Sequence, residues 1–362
     1  AADAGEWQAP HALEVVGSPI DPFLSGVVTR AGDLTNVIVA GSIGDVIVEN
    51  GEILNVRANS DGLTPQGQFH GIVGTIYSIA IKTVDVGDGL AGTGAGPFAK
   101  AGIFADDDIV EVISDRIAGA KISGAIIAAN LAQGARTTVG TENPVAVPAT
   151  FGINTVRVTN GRFDGAYIAA GNLDDFWVAN PASFRDVGVV SGVITLISGV
   201  NSDFFRSSAA AQLINQIVLT GAWDASSAAS TTDINLISAV EFRNTTATGV
   251  ASELIPSTIS ATNNIGAIRT LNNAGTMADL SVSAGGTITG EVSARNIERS
   301  NFAVNNQINS ILTTNDFRGV SIVTGELVDL RVQGDIRSSS ISVAGPVRRI
   351  NVSPGRDFSS VS

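Results

Sequence analysis

Three consecutive aspartates, Asp106-Asp107-Asp108, followed by Glu111, Asp115 and Arg116, form the sharpest acidic constellation in the chain. Clustered carboxylates of this kind bind Ca²⁺ through oxygen, or act as acid and base across a glycosidic bond. A lyase also needs a base for the proton next to a substrate carboxylate. Arg116 and Lys121 are the local basic residues. The plainer account is a solvated loop leading into the apolar run from Ile109, and we favour it.

A second set is Asp164, Asp174, Asp175 and Asp186, with Arg162 and Arg185. If successive repeats superpose, Asp164 and Asp174 stack on one face as a carboxylate ladder for a cation. The competing account, which we prefer, is that these are corner residues chosen for turn geometry. Ca²⁺ is the only cofactor this pattern suggests; otherwise none is expected. His11 and His70 have no partner at metal-ligand spacing, and no Gly-x-Ser-x-Gly elbow is present. The Gly-rich run at 87–96 lacks the Lys-Ser/Thr of a phosphate loop. Trp177 and Tyr167, at the outward positions of their phrases, make either a small sugar platform or packing under a loop; packing is the preferred reading.

These residues need positioning elements, and the chain supplies one phrase repeatedly: Gly-x-Φ-x-x-Φ-x-Φ, with Φ apolar. It reads Gly32-Asp-Leu34-Thr-Asn-Val37-Ile-Val39, then Gly41-Ser-Ile43-Gly-Asp-Val46-Ile-Val48, and returns as Gly171-Asn-Leu173-Asp-Asp-Phe176-Trp-Val178. Its last traces are Val347/Ile350/Val352 and Phe358/Val361. The Φ-x-Φ part has the period of a half-buried strand. The middle pair is often small or polar, as in Thr35-Asn36, Gly44-Asp45, Asp174-Asp175, Ala278-Asp279 and Val328-Asp329, and we read it as a corner. Two or three phrases then complete a rung of roughly 20–30 residues, and the rungs stack as parallel strands around one core. A sandwich or propeller would favour two-residue hairpins, which this phrase does not offer.

The phrase resembles the repeats of secreted bacterial right-handed β-helix proteins, which include surface adhesins, autotransporter-like passengers and polysaccharide-acting enzymes. The resemblance covers about two-thirds of the chain. It implies an all-β right-handed parallel β-helix, or β-solenoid, and leaves the function open.

Residues 1–30 fall outside the phrase and are expected to form an extended N-terminal arm or cap. Residues 31–362 are expected to form the solenoid, with loop insertions near 87–104, 131–150, 201–232 and 245–258. The stretch from Asp203 to Gln212, which contains Ser207-Ser-Ala-Ala-Ala211, suggests a short helix.

Composition narrows the partners. The 362 residues carry a net charge of −13, with three lysines, so there is no basic footprint for nucleic acid. No apolar run is long enough to span a membrane as a helix. Cysteine is absent, which excludes thiol chemistry. The start at Ala1 suits signal-peptide removal, hence an extracellular or cell-surface location. The last phrase stops mid-unit, which suggests an open rung. We therefore expect no enzyme but a structural protein that assembles with itself, head to tail, into a filament or surface layer. The contacts would be Trp7, Val15, Val16, Ile20, Phe23 and Leu24 of the arm with Phe358 and Val361. The alternatives are a polysaccharide lyase or hydrolase, with polysaccharide as partner, and an adhesin passenger stalk.

Overall fold

The structure, a computed structural model, describes residues 11–15, 23–29, 32–60, 69–91, 102–114, 121–128, 151–159, 161–179, 184–244, 257–353 and 358–359, with backbone alone for 11–15, 23, 25 and 358–359. It is a parallel β-solenoid of about 13 turns, 73% strand and 1% helical. The turns fall into two compact units, Ala1–Thr195 and Leu196–Ser362.

In the first unit two stacks of parallel strands run through successive turns. One passes from His11–Val15 through Leu34–Val39, Glu52–Arg57, Ala80–Asp85, Ile109–Ser114 and Gly152–Val158 to the second half of Tyr167–Ala179. The other passes from Phe23–Thr29 through Ser42–Val48, Thr75–Ser78, Gly102–Ala105 and Ala125–Ala128 to the first half of Tyr167–Ala179. A third stack of short strands joins Gly89–Leu90, Lys121–Ile122, Arg162–Asp164 and Phe184–Arg185.

The second unit repeats the plan more regularly. Ser321–Val332 runs unbroken along two stacks and pairs with Asn301–Thr313 before it. Phe302 faces Ile322 and Ile308 faces Leu327, so a turn takes 20 and 19 residues there. Each turn thus holds two phrases, and a phrase pairs with the next but one: Leu34 lies beside Ile53, not Ile43.

The core is built from the Φ positions. Val37, Val46, Val56, Ile76 and Val84 have no exposed surface in the first unit, nor have Ile268, Ile288, Ile308, Leu327 and Leu330 in the second. Each buried aliphatic side chain stabilises by about 1.5–3 kcal/mol. The third stack adds bulk. Phe163 and Phe184 stack with ring centroids 5.8 Å apart, with Phe176 edge-on to both. In the second unit Phe204 and Trp223 stack at 4.9 Å.

The corners lie elsewhere than the phrase suggests. Asn36, Asp45, Asp175 and Asp329 sit inside strands. One recurring left-handed corner comes two positions after the inward residue of the third stack: Gly165 and Asp186 in the first unit, and Arg206, Ala225, Asp279, Arg299, Gly319 and Ser338 in the second; Asn59, Asn201, Asn272 and Asn273 are left-handed elsewhere. Of the pairs read as corners, Ala278-Asp279 alone includes one of these. Asn36, Asp45 and Asp175 are half-buried along the strands, while Asp329 is buried beneath its turn-to-turn bonds with arginine. Asn55 Nδ2 donates to Asn36 Oδ1 one turn away, at 3.0 Å.

Three further expectations change. The segment at 1–30 is not an arm where it is described: His11–Val15 and Phe23–Thr29 pair in parallel with the next turn of the same chain. The stretch 201–232 is not an insertion, since it contains Phe204–Phe205, Ser208–Leu219, Ala222–Asp224 and Ser227–Ser230 as strands. Ser208–Ala211 is accordingly no helix; its small side chains pair with Ser227–Ser230, and pairing overrides local propensity. Of the other insertions, 131–150 lies outside the described residues. So do 92–101 and 245–256, which make up most of the remaining two.

Candidate functional site

Two of the carboxylates that suggested chemistry, Asp106 and Asp108, hold turns together. Asp106 Oδ2 accepts the Tyr77 hydroxyl at 2.6 Å, one turn away. Asp108 Oδ1 accepts the Gly152 N–H at 2.6 Å and is exposed. Asp107 gives its backbone N–H to the Ile79 carbonyl. Asp115 and Arg116 lie outside the described residues.

The proposed ladder of Asp164 and Asp174 does not form, because two phrases make one turn and neighbouring phrases lie on different sides. Asp164 stands beside Arg185 in the ladder and pairs with Lys121 at 3.2 Å and Arg162 at 3.6 Å. Asp174 accepts the Thr195 hydroxyl at 3.3 Å. Burial pushes the Asp175 carboxyl above its ordinary value, and the nearby Arg157 charge opposes that shift. Among the described residues no three His, Asp or Glu side chains group as a metal site.

The two aromatic candidates separate. The Arg157 guanidinium lies 5.7 Å from the Trp177 ring centroid. Tyr167 packs against the buried cluster of Tyr77, Phe104, Ala125, Ile127 and Ala169. His70 is buried, and its backbone N–H donates to Asp88.

The second unit carries acid–base pairs spanning adjacent turns. Arg299 grips Asp279 at 2.8 and 2.9 Å. Arg243 meets Asp224 of the preceding turn at 3.0 Å, Asp203 two turns back at 3.6 Å, and Glu241 on its own strand. Arg348 reaches back to Glu326 at 2.7 Å. These pairs follow from the pairing register, which places charged outward residues about one strand spacing apart.

An exposed apolar pair of this unit lies at its last described turn. Among the described residues, Ser340–Val343 and Val347–Val352 pair on one side only, with Ser321–Val332. Val347 and Ile350 are 45% and 42% exposed, whereas their partners one turn earlier, Leu327 and Leu330, are fully buried. Backbone donors and acceptors along such an edge are a template for another strand. In the first unit, His11–Val15 and Phe23–Thr29 likewise pair on one side only among the described residues.

Of the assembly residues expected from sequence, Trp7, Val16, Ile20 and Val361 lie outside the described residues. Val15 and Phe23 fall on the first-turn strands, and Leu24 is half-buried there. Phe358 pairs with Ile336 within the chain. The sequence reading missed the surface formed by Val347, Arg348, Arg349 and Ile350. Its signal was the pair of adjacent arginines inside a phrase.

No protein family, no curated protein and no solved structure matches the chain.

Proposed function

We propose that the protein is an extracellular or cell-surface structural protein, a β-solenoid subunit that assembles head to tail into a filament or surface layer. The observation that carries this is the Val347–Val352 edge, where Val347 and Ile350 are 45% and 42% exposed at positions that are buried one turn earlier. A parallel strand added there would bury both side chains and satisfy the edge amides. Among the described residues, the first-turn strands His11–Val15 and Phe23–Thr29 also pair on one side only. A contact between unlike edges does not close on itself, so it extends into a polymer. The use of Asp106 and Asp108 as turn-to-turn hydrogen-bond acceptors favours this reading over a polysaccharide-acting enzyme. The outer location rests on the resemblance to secreted repeat proteins.

Sedimentation velocity across a concentration series tests the reading. The wild-type chain should show a growing series of oligomers. Ile350→Asp, which places a charge on the edge, should remain monomeric. Val323→Asp, at an outward position 52% exposed on the preceding turn, should assemble normally. A wild-type chain that stays monomeric at every concentration overturns the proposal.

A further inference from the structure

We infer that one outer face of the second unit is an interface between two copies of this chain, paired face to face about a two-fold axis. The pairing acts through the side of the solenoid and does not depend on end-to-end assembly.

The face is the outward side of one strand stack. That stack joins the first half of Ser208–Leu219 to Ser227–Ser230, Ser257–Ala261, Leu280–Ala284, the first halves of Asn301–Thr313 and Ser321–Val332, and Ser340–Val343. Its middle column runs from Ala210 through Ser260, Ser283 and Val323 to Ser342, and columns beginning at Ser208 and Gln212 flank it. Three columns over these seven turns make twenty-one positions, all exposed or half-buried and none charged. At the chain's overall 15% of charged residues, about three would fall among them. At the roughly 25–35% of a solvated surface, about five to seven would. The same turns carry charge on their other sides, as at Arg269 and Arg331 on the other long stack and at Arg243 and Arg318 on the short one. Charged side chains on an exposed sheet keep its copies apart, and this face lacks them.

Three properties make a second copy the occupant. Serine, threonine and asparagine both donate and accept hydrogen bonds, so the face complements its own image. Two copies of net charge −13 repel each other, and this face brings no charged side chain into the contact. Turns about 4.8 Å apart and outward residues about 6.8 Å apart give a face of about 34 by 20 Å, so a pair buries about 1,400 Å², within the range of stable interfaces. A two-fold axis along the strands at Leu280–Ala284 sets Ser283 against itself. It also sets Val323, the bulkiest residue of the middle column at 52% exposed, against Ala229. Salt screens the overall repulsion, over a Debye length of about 8 Å at physiological strength, so pairing strengthens as salt rises.

The test uses the full chain carrying Ile350→Asp, which removes end-to-end growth from the readout. Sedimentation equilibrium should show monomer in about 20 mM NaCl and dimer, with no larger species, in about 500 mM. Adding Val323→Asp should weaken the dimer about tenfold or more, with an unchanged melting temperature. The chain has no cysteine, so adding Ser283→Cys should give a cross-linked dimer under mild oxidant. Asn309→Cys, exposed on the other long stack, should not. Monomer at every salt, or equal cross-linking of the two cysteines, overturns the pairing and leaves the head-to-tail reading untouched. A monomer that adheres to cellulose powder and is released by Val323→Asp gives the face to an uncharged polysaccharide instead, and also overturns the pairing.

Discussion

Arg349 closes on Asp329 across one turn of the solenoid, with Nε to Oδ1 at 2.7 Å and Nη2 to Oδ2 at 2.5 Å. Arg331, two residues along the same strand, bonds the same carboxylate at 2.5 Å. The Arg349 hydrogen bonds come first in holding the Asp329 carboxyl below its ordinary value; Arg331 adds to them, and burial works against both. A lowered folded-state value means that the stabilisation is complete above the unfolded carboxylate range, about pH 4, and is lost as pH falls through the folded value. Asp329→Asn should cost about 1–3 kcal/mol near neutral pH. In urea titrations at several pH values, that deficit should shrink steadily below about pH 4. A deficit independent of pH would contradict the assignment.

Asp175 has the opposite sign. Burial raises its carboxyl value, and Oδ1 is buried without a hydrogen-bond partner. The charged form is therefore a liability that grows as pH rises above the unfolded carboxylate range. Asp175→Asn should stabilise the first unit at neutral pH and be neutral below about pH 4. Thermal melts at the two pH values measure this, and destabilisation at neutral pH would show that the Arg157 attraction wins.

The inward stack should dominate stability. Trp223 is fully buried and stacks on Phe204, while Phe205, the next residue, points outward under the Arg206 guanidinium. Trp223→Ala should cost about 3–5 kcal/mol. Phe205→Ala should cost about 1 kcal/mol or less. Equal losses in chemical denaturation would place the core elsewhere.

The left-handed corner makes its own prediction. Ala225 has φ 47°, which costs a residue with a Cβ about 1–2 kcal/mol. Ala225→Gly should therefore stabilise by about 0.5–1 kcal/mol after the entropy cost of glycine. Gly275→Ala should do the reverse, because a Cβ there would stand 1.8 Å from the Val240 carbonyl oxygen. A lower melting temperature for Ala225→Gly would refute the corner assignment.

The architecture was legible because Φ positions such as Leu330 and Val332 alternate where one face of a strand is buried. The corner position was not legible, because Arg206, Ala225, Arg299 and Ser338 do not announce a left-handed backbone as Gly or Asn would. Asn36 and Asp329 were misread because an outward strand residue and a turn residue are polar for different reasons. Ser208–Ala211 looked helical because local composition does not show that Ser227–Ser230 lies alongside. The stacking of Asp164 on Asp174 failed on register alone: superposing adjacent phrases ignores that a turn holds two of them. At the candidate assembly edge, the repeat Val347/Ile350/Val352 was visible in the sequence. Its exposure was not, since that depends on which neighbours are present on each side.

Negative-stain electron microscopy of the purified chain at low ionic strength tests the central claim most directly. Head-to-tail assembly predicts unbranched filaments one solenoid wide that are absent from the Ile350→Asp variant. Fields of single particles from wild-type protein, at concentrations where its strand signal is intact, would contradict it.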